Sequence, residues 1–366
     1  MLFPSSGRIP HVQRTVTPVE KSPRILIARL SAIGDCILTM PLLCALRAHF
    51  PDAHLAWVTE PGPASLLAGH RCLDELLVVR KGWLKSPRDV WQLRRRLRAR
   101  KFDVTLDPQS LTKSAAVAWL SGARRRIGFA APRGRELSVW LNNELQPPAA
   151  RYLVDCQWDL LRALGVAATP VTFAVPVDAA ATHHVAAWLS SELAADTFAL
   201  LHPGASWASK RWCPERFATV AAFLGARCSL RSLVAWAGDQ ERARAQQIVA
   251  ESGGHAVLAP STSLPELAAF LRRATLFVGS DSGPMHLSAA VGTPCVALFG
   301  PTRPEDCGPY GAGHVTVQEY YQTGTTRQRR QAANDALRAI SAAQVCAACE
   351  QVLARTAGTA RADHAA

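Results

Sequence analysis

The stretch from Phe277 to Thr302 admits few folds. It runs as an apolar segment, a small polar turn Ser280-Asp281-Ser282-Gly283-Pro284, a short helical pattern to Val291, a second apolar segment from Cys295 to Phe299 and a Gly300-Pro301-Thr302 loop. Two strands joined by a helix form a parallel βαβ unit, and such units bind ligands outside the carboxyl end of the first strand. Ser282 can cap the helix, Gly283 admits close backbone approach, and Pro284 suits the first turn. The unpaired N–H groups of a helix start favour an anion such as a diphosphate. Asp281 would repel phosphate, so it reads as an acceptor for backbone N–H groups or ligand hydroxyls. Alone, the turn is either a plain connection or a site for a phosphorylated, hydroxyl-bearing ligand.

Strand and helix signals alternate on both sides of this unit. Arg24 to Leu30 is a short apolar strand, followed by Ser31-Ala32-Ile33-Gly34-Asp35 and a helical pattern from Cys36 to His49. Asp35 is either a charge favoured at a helix start or, in a cleft, a base for a hydroxyl nucleophile. The second and third glycines of a dinucleotide fingerprint are missing here. Leu55–Val58 and Leu73–Val79 are further strands, and a short helix lies in Glu60–Gly69. Ser86-Pro87 opens an amphipathic helix with Val90, Leu93 and Leu97 on one face and a run of arginines over the rest. That run is either a solvated face or a contact for anionic lipid headgroups or sugar-acid phosphates, with Trp83 and Trp91 nearby. After the strand Asp103–Asp107, the loop with Gln109, Ser110, Thr112 and Lys113 opens on the same side of the sheet as Asp35, a pocket for a polar acceptor.

Tyr152 to Leu164 is a helix, and Gly165 to Asp178, with Pro170 and Pro176, reads as a linker. A second series starts at Phe198–Leu201 and enters His202-Pro-Gly-Ala-Ser206-Trp-Ala-Ser-Lys210-Arg211-Trp212, where Lys210 and Arg211 can neutralise phosphate. Glu215–Ala226 is a helix and Leu233–Ala237 a strand. In the helix from Gly238 to Ser252, Glu241 either accepts a ribose diol or is a first-turn charge. Leu264–Arg273 is a helix, Val315 to Arg330 a mobile basic loop, Ile340–Leu353 the last helix, and the tail after Thr356 disordered.

At 366 residues two domains are expected. No apolar run is long enough to span a bilayer, and the start of the chain lacks the apolar core of a signal peptide. The ten cysteines form no framework, and Cys346-x-x-Cys349 has no second pair to complete a zinc site. A net charge of +13 implies anionic partners: nucleic acid, a phosphorylated substrate or an anionic membrane face. Nucleic acid is disfavoured, because the basic clusters lack a reader motif and the aromatics form no stacking series.

Taken jointly and in order, Ser31-Ala-Ile-Gly34-Asp35, His202 to Trp207, Lys210-Arg-Trp212, Ser280 to His286, Leu298 to Thr302 and Gly308 to Gly311 resemble glycosyltransferase family 9, the heptosyltransferases of the lipopolysaccharide inner core. The resemblance implies a GT-B, α/β architecture of two Rossmann-like domains with parallel sheets facing a cleft. Residues 24–175 are then the acceptor-binding domain and 176–335 the nucleotide-sugar domain, with a disordered extension over 1–23 and a C-terminal helix and disordered tail over 336–366. It implies heptose transfer from ADP-heptose, with inversion and without metal or other cofactor, to an anionic glycolipid. It further implies a cytoplasmic monomer, peripheral at the inner face of the membrane.

By the same resemblance Asp35 is the general base and Lys210 stabilises the departing diphosphate. Ser206, Glu241, Asp281, Ser282, Gly283 and His286 bind the donor, Asp281 through sugar hydroxyls. Gly34, Gln109 and Lys113 lie on the acceptor side. The N-terminal extension and the basic 320–330 segment depart from the family pattern. A family member with another donor or acceptor, a silent nucleotide-sugar binder and a GT-B epimerase are the competing readings; an epimerase would turn over without acceptor.

Overall fold

The computed structural model describes residues 22–193 and 197–363, with side chains described as far as residue 356. The expected extension therefore lies outside the described residues, apart from its last two. The first series builds six strands: β1 (Arg24–Ala28), β2 (His54–Thr59), β3 (Glu75–Val78), β4 (Val104–Asp107), β5 (Arg125–Phe129) and β6 (Glu144–Gln146). The second builds β7 (Phe198–His202), β8 (Arg231–Val234), β9 (Ala256–Leu258), β10 (Leu276–Ser280), β11 (Cys295–Leu298) and β12 (Val315–Val317). The orders are β3-β2-β1-β4-β5-β6 and β12-β11-β10-β7-β8-β9, with every neighbouring pair parallel. Read from its other edge, the second order repeats the first, and both are the doubly wound order of nucleotide-binding sheets.

Each sheet reverses its winding between its first and fourth strands, so the ligand crevices fall at the carboxyl ends of β1 and β4 and of β7 and β10. The segments carrying Asp35, Lys113, Lys210 and Asp281 leave those four strands. The strands are apolar on both faces because helices cover both. In the first lobe Leu93, Leu97, Val117 and Leu120 pack on Leu26, Ala28, Ala56 and Val58. Behind it, one continuous apolar layer joins Ile25, Ile27 and Leu160 to Phe270, Phe277 and Met285 of the second lobe. A latch reinforces that junction: Tyr310 Oη donates to Asp155 at 3.0 Å, Tyr152 Oη donates to the Gly308 carbonyl, and Arg151 pairs with Asp306.

Several expectations need correction. The helix after β1 is two pieces, Ile33–Ile37 and Met40–His49, so Asp35 sits inside a first turn rather than before it. The 315–330 segment is not a loop throughout: it contains β12, which pairs with β11, and a helix at Thr326–Gln331 capped by Thr325. The last helix runs Ala342–Asp363, past the expected break at Thr356, because no proline interrupts the alanine-rich segment. The helix Ala179–Trp188, capped by Asp178, was not anticipated.

Candidate active site

A cleft of about 590 Å³ opens between the lobes. One wall is Ser31–Gly34 and Glu60–Pro63; the other holds Ser206, Trp236, Glu241, Ser282 and Gly283. The helix Gly283–Ala290 points its start into this space. Ser282 occupies the N-cap position with extended backbone, but its hydroxyl does not cap the helix and has no hydrogen-bond partner. This corrects the capping expectation, and it leaves a buried hydroxyl beside the first free N–H groups, which together suit an anion.

Glu241 lies in the first turn of the helix Gly238–Glu251, with Oε2 accepting from Ala237 N at 2.9 Å. Its carboxylate lies so close to Gly204 that a Cβ there would stand 2.2 Å from it, which explains the glycine. His202 Nε2 is 3.6 Å from Glu241 Oε2; burial lowers the histidine's pKa, and Glu241 opposes that shift.

Asp35 is held from beneath. Its Oδ2 takes Arg29 Nη2 at 2.8 Å and the Ala32 N–H at 3.2 Å, the side chain is 44% exposed, and it stands next to the Ser31–Gly34 wall rather than among the residues that line the cavity. Arg29 also donates to the Pro108 carbonyl at 3.2 Å. Neighbouring Gly34 lies against the second lobe: a Cβ there would come 2.5 Å from His286 Cδ2, and one on Gly283 would come 3.3 Å from Ile33 Cγ2. Two helix starts, one from each lobe, thus abut beside the cleft.

Lys210 and Asp281 form the buried centre of the second lobe's crevice. Lys210 Nζ is 2.6 Å from Asp281 Oδ2 and lies 4.5 Å from the centroid of the Trp207 ring. Thr302 Oγ1 donates to the same oxygen at 2.6 Å, Cys307 Sγ lies 3.7 Å from it, and His286 Nε2 is 3.3 Å from Oδ1. Burial pushes the Asp281 carboxyl up, but Lys210 and His286 outweigh it and hold the acid well below the usual carboxylate range. The Cys307 thiol is pushed well above its usual range by burial and Asp281, and Asp35 adds to that push across the lobe junction. Because protein donors fill the Asp281 carboxylate, a sugar hydroxyl would have to displace one of them.

Of the acceptor-side residues, Gly34 lines the cleft, and Lys113 joins its wall by donating to Ser31 Oγ at 2.6 Å and Glu60 Oε1 at 2.8 Å. Gln109 does not reach the cleft: it is buried, and its amide oxygen accepts from Leu30 N at 2.9 Å, bracing the end of β1. Arg29, Thr302, Trp207 and Glu60 were not singled out from sequence. Arg29 alone carried a local signal, as a charge inside an apolar strand. All ten cysteines are free, Cys346 and Cys349 being buried on the last helix. Among the described residues no helix is long and apolar enough to cross a membrane, and no group of three or more His, Cys, Asp or Glu is placed to hold a metal ion.

Residues 90–337 match the sequence model of the family described as glycosyltransferase family 9 (heptosyltransferase). Lipopolysaccharide heptosyltransferase 1 of Salmonella typhimurium is 27% identical over 305 residues, covering 80% of this chain and 93% of that protein. The crystal structure of a family 9 glycosyl transferase from Veillonella parvula superposes with a TM-score of 0.81 at 26% identity, covering 93% of this chain and all of the other. Escherichia coli heptosyltransferase WaaC with ADP-2-deoxy-2-fluoro heptose shares the fold, with a TM-score of 0.71 at 24% identity over 90% of this chain and 99% of that one.

Proposed function

The chain belongs to glycosyltransferase family 9, and from that premise we propose that it transfers heptose from ADP-heptose, with inversion, to the lipopolysaccharide inner core or a related anionic glycolipid. The observation that carries this reading is the abutment of Gly34 and Ile33 on His286 and Gly283, which sets the base-bearing helix beside the helix start suited to phosphate. Residues 24–175 take the acceptor and residues 176–335 the donor.

Asp35 Oδ1 removes the proton from the acceptor hydroxyl as that oxygen bonds to the anomeric carbon and the bond to the diphosphate breaks. Base and leaving group act on opposite faces, so one displacement inverts the centre. The departing ADP carries negative charge, which Lys210, the Gly283 N-terminus and the free Ser282 hydroxyl stabilise. Lys210 has three donors and Asp281 takes one, leaving others for phosphate oxygens. Glu241 accepts the ribose hydroxyls, Ser206 borders the nucleotide, and Asp281 fixes Lys210 and His286. These charges and dipoles do at the diphosphate what a divalent cation does elsewhere, so the reaction needs no metal. The enzyme acts as a monomer on the inner face of the cytoplasmic membrane, where Lys113 helps to meet the acidic acceptor.

Incubating the purified protein with ADP-heptose and lipid cores lacking heptose tests this reading. Release of ADP in step with sugar incorporation supports it; ADP-heptose left unchanged, or consumed equally without acceptor, contradicts it.

A further inference from the structure

The first lobe exposes aromatic surface that its own core does not use. Trp140 is 81% exposed, Trp91 57%, Leu137 56% and Trp119 52%; the tryptophans lie on three adjoining helices, Pro87–Arg98, Thr112–Ser121 and Ser138–Leu141, and Leu137 is the N-cap of the last. Large apolar side chains gathered on one layer mark a contact surface. The helix Pro87–Arg98 buries Leu93 and Leu97 and turns Trp91, Arg94 and Arg95 outward at i, i+3 and i+4, while Arg98 folds over Gly122 and donates to the Leu120 carbonyl at 3.2 Å. The Arg95 guanidinium lies 5.3 Å from the centroid of the Trp91 ring. Among the described residues Arg88, Arg94, Arg95 and Arg96 have no carboxylate partner. The acids of this layer are already engaged, Asp89 with Arg80 and Glu136 with the Thr112 N–H.

We propose that this layer docks on an anionic bilayer, with the arginines among the headgroups and Trp119, Trp140 and Leu137 at the acyl boundary. Indoles partition to that depth because one end is apolar and the other polar, and unpaired arginines gain from the negative surface potential. A plain polyanion site would need the arginines alone. The layer is also continuous with the cleft, since Lys81, just before it, lines the cavity and Lys113, at its second helix, holds Ser31 and Glu60 of the wall. A lipid-linked sugar therefore has a short path from the bilayer to Asp35. The proposal rests on the lipid-linked acceptor reading and deepens it.

The test uses the full chain and vesicles of phosphatidylcholine with or without phosphatidylglycerol. Wild type should bind the anionic vesicles, lose binding in high salt, and show tryptophan quenching by brominated lipid. Combined Arg94→Gln, Arg95→Gln and Arg96→Gln should weaken binding roughly a hundredfold, at about fivefold per charge. Combined Trp119→Ser and Trp140→Ser should weaken it about tenfold with the charge unchanged. Unchanged thermal midpoints and ADP-heptose affinity show that both variants remain folded. Full vesicle binding by the tryptophan variant, equal binding of wild type to neutral vesicles, or stronger binding to duplex DNA than to vesicles would overturn the docking face. That failure leaves transfer to detergent-dispersed acceptor intact, whereas failure of the functional reading abolishes transfer and leaves vesicle binding in place.

Discussion

Arg29 Nη2 stands 2.8 Å from Asp35 Oδ2, a guanidinium 6% exposed beneath a carboxylate 44% exposed. The buried cation grips one oxygen and leaves Oδ1 without a protein partner, so it fixes how the carboxylate is presented to an incoming hydroxyl. Arg29→Met should lower kcat about a hundredfold by letting the carboxylate swing, with donor affinity unchanged, and Arg29→Lys should recover much of the loss. Steady-state kinetics beside calorimetric ADP binding measure both; equal loss of donor affinity would count against the positioning role.

Lys210 and Asp281 are coupled in stability as well as chemistry. Lys210→Met strips the main cation from a buried carboxylate and should cost about 3 kcal/mol or more in urea denaturation, together with a drop in kcat of about a hundredfold. Adding Asp281→Asn should restore much of the stability and none of the turnover. Because the native acid is held below its usual range, its contribution is full above pH of about 4 and is lost as pH falls further, through the depressed native value. Asp281 should therefore add no pH dependence to wild-type stability between pH values of about 5 and 7, and a loss of stability with acidification below about 4.

The lobe junction has no room at Gly34. Gly34→Ala would force a methyl group onto His286, with an overpacking cost of about 1–3 kcal/mol and a larger proportional loss of turnover, because Asp35 moves with it. A double-mutant cycle with His286→Ala should reveal coupling of about 1 kcal/mol in thermal or urea stability. Strict additivity would mean that the lobes do not meet there in solution.

Asp107 supplies the opposite pH signature. Burial raises its carboxyl to about 6, against hydrogen bonds from Asn142 and Ser110 that lower it. A raised acid binds its proton more tightly when folded, so stability should fall between pH values of about 4 and 6 and level off above. The drop is at most about 3 kcal/mol. Asp107→Asn should flatten that slope. The substitution is tolerable because Asn142 Oδ1 has no partner and can accept from the new amide once its own side chain turns. Urea midpoints across that range decide it.

What could be read from sequence follows from the range of the interactions. The β10–helix–β11 unit was legible because long apolar runs bracket a Gly-Pro helix start, and the helix Leu264–Arg273 because its capping residues are local. The strand β12 is three residues long and finds its identity only by pairing with β11. The Thr325-x-x-Gln328 capping box was present in the sequence but hidden among basic residues. Lys210 and Asp281 were each suspected, yet their pairing across 71 positions has no local signature. Gln109 had a polar loop's composition and a structural use, because the hydrogen bond it makes is to the backbone just past the end of β1, remote in sequence. Of the two tryptophans read beside the arginine helix, Trp91 is exposed but Trp83 is buried in the first lobe's core, which corrects that expectation, and Trp119 and Trp140 looked like ordinary helix residues until burial separated them from the core.

The most direct test of the central claim is single-turnover transfer by Asp35→Asn beside its ADP-heptose binding isotherm. Loss of the base should slow transfer by roughly a thousandfold while the donor dissociation constant stays within about twofold of wild type, since amide and carboxylate are the same size and the diphosphate contacts lie in the other lobe. Transfer at the wild-type rate, or a parallel collapse of donor binding, would contradict the assignment of Asp35 as the base that faces the donor across the cleft.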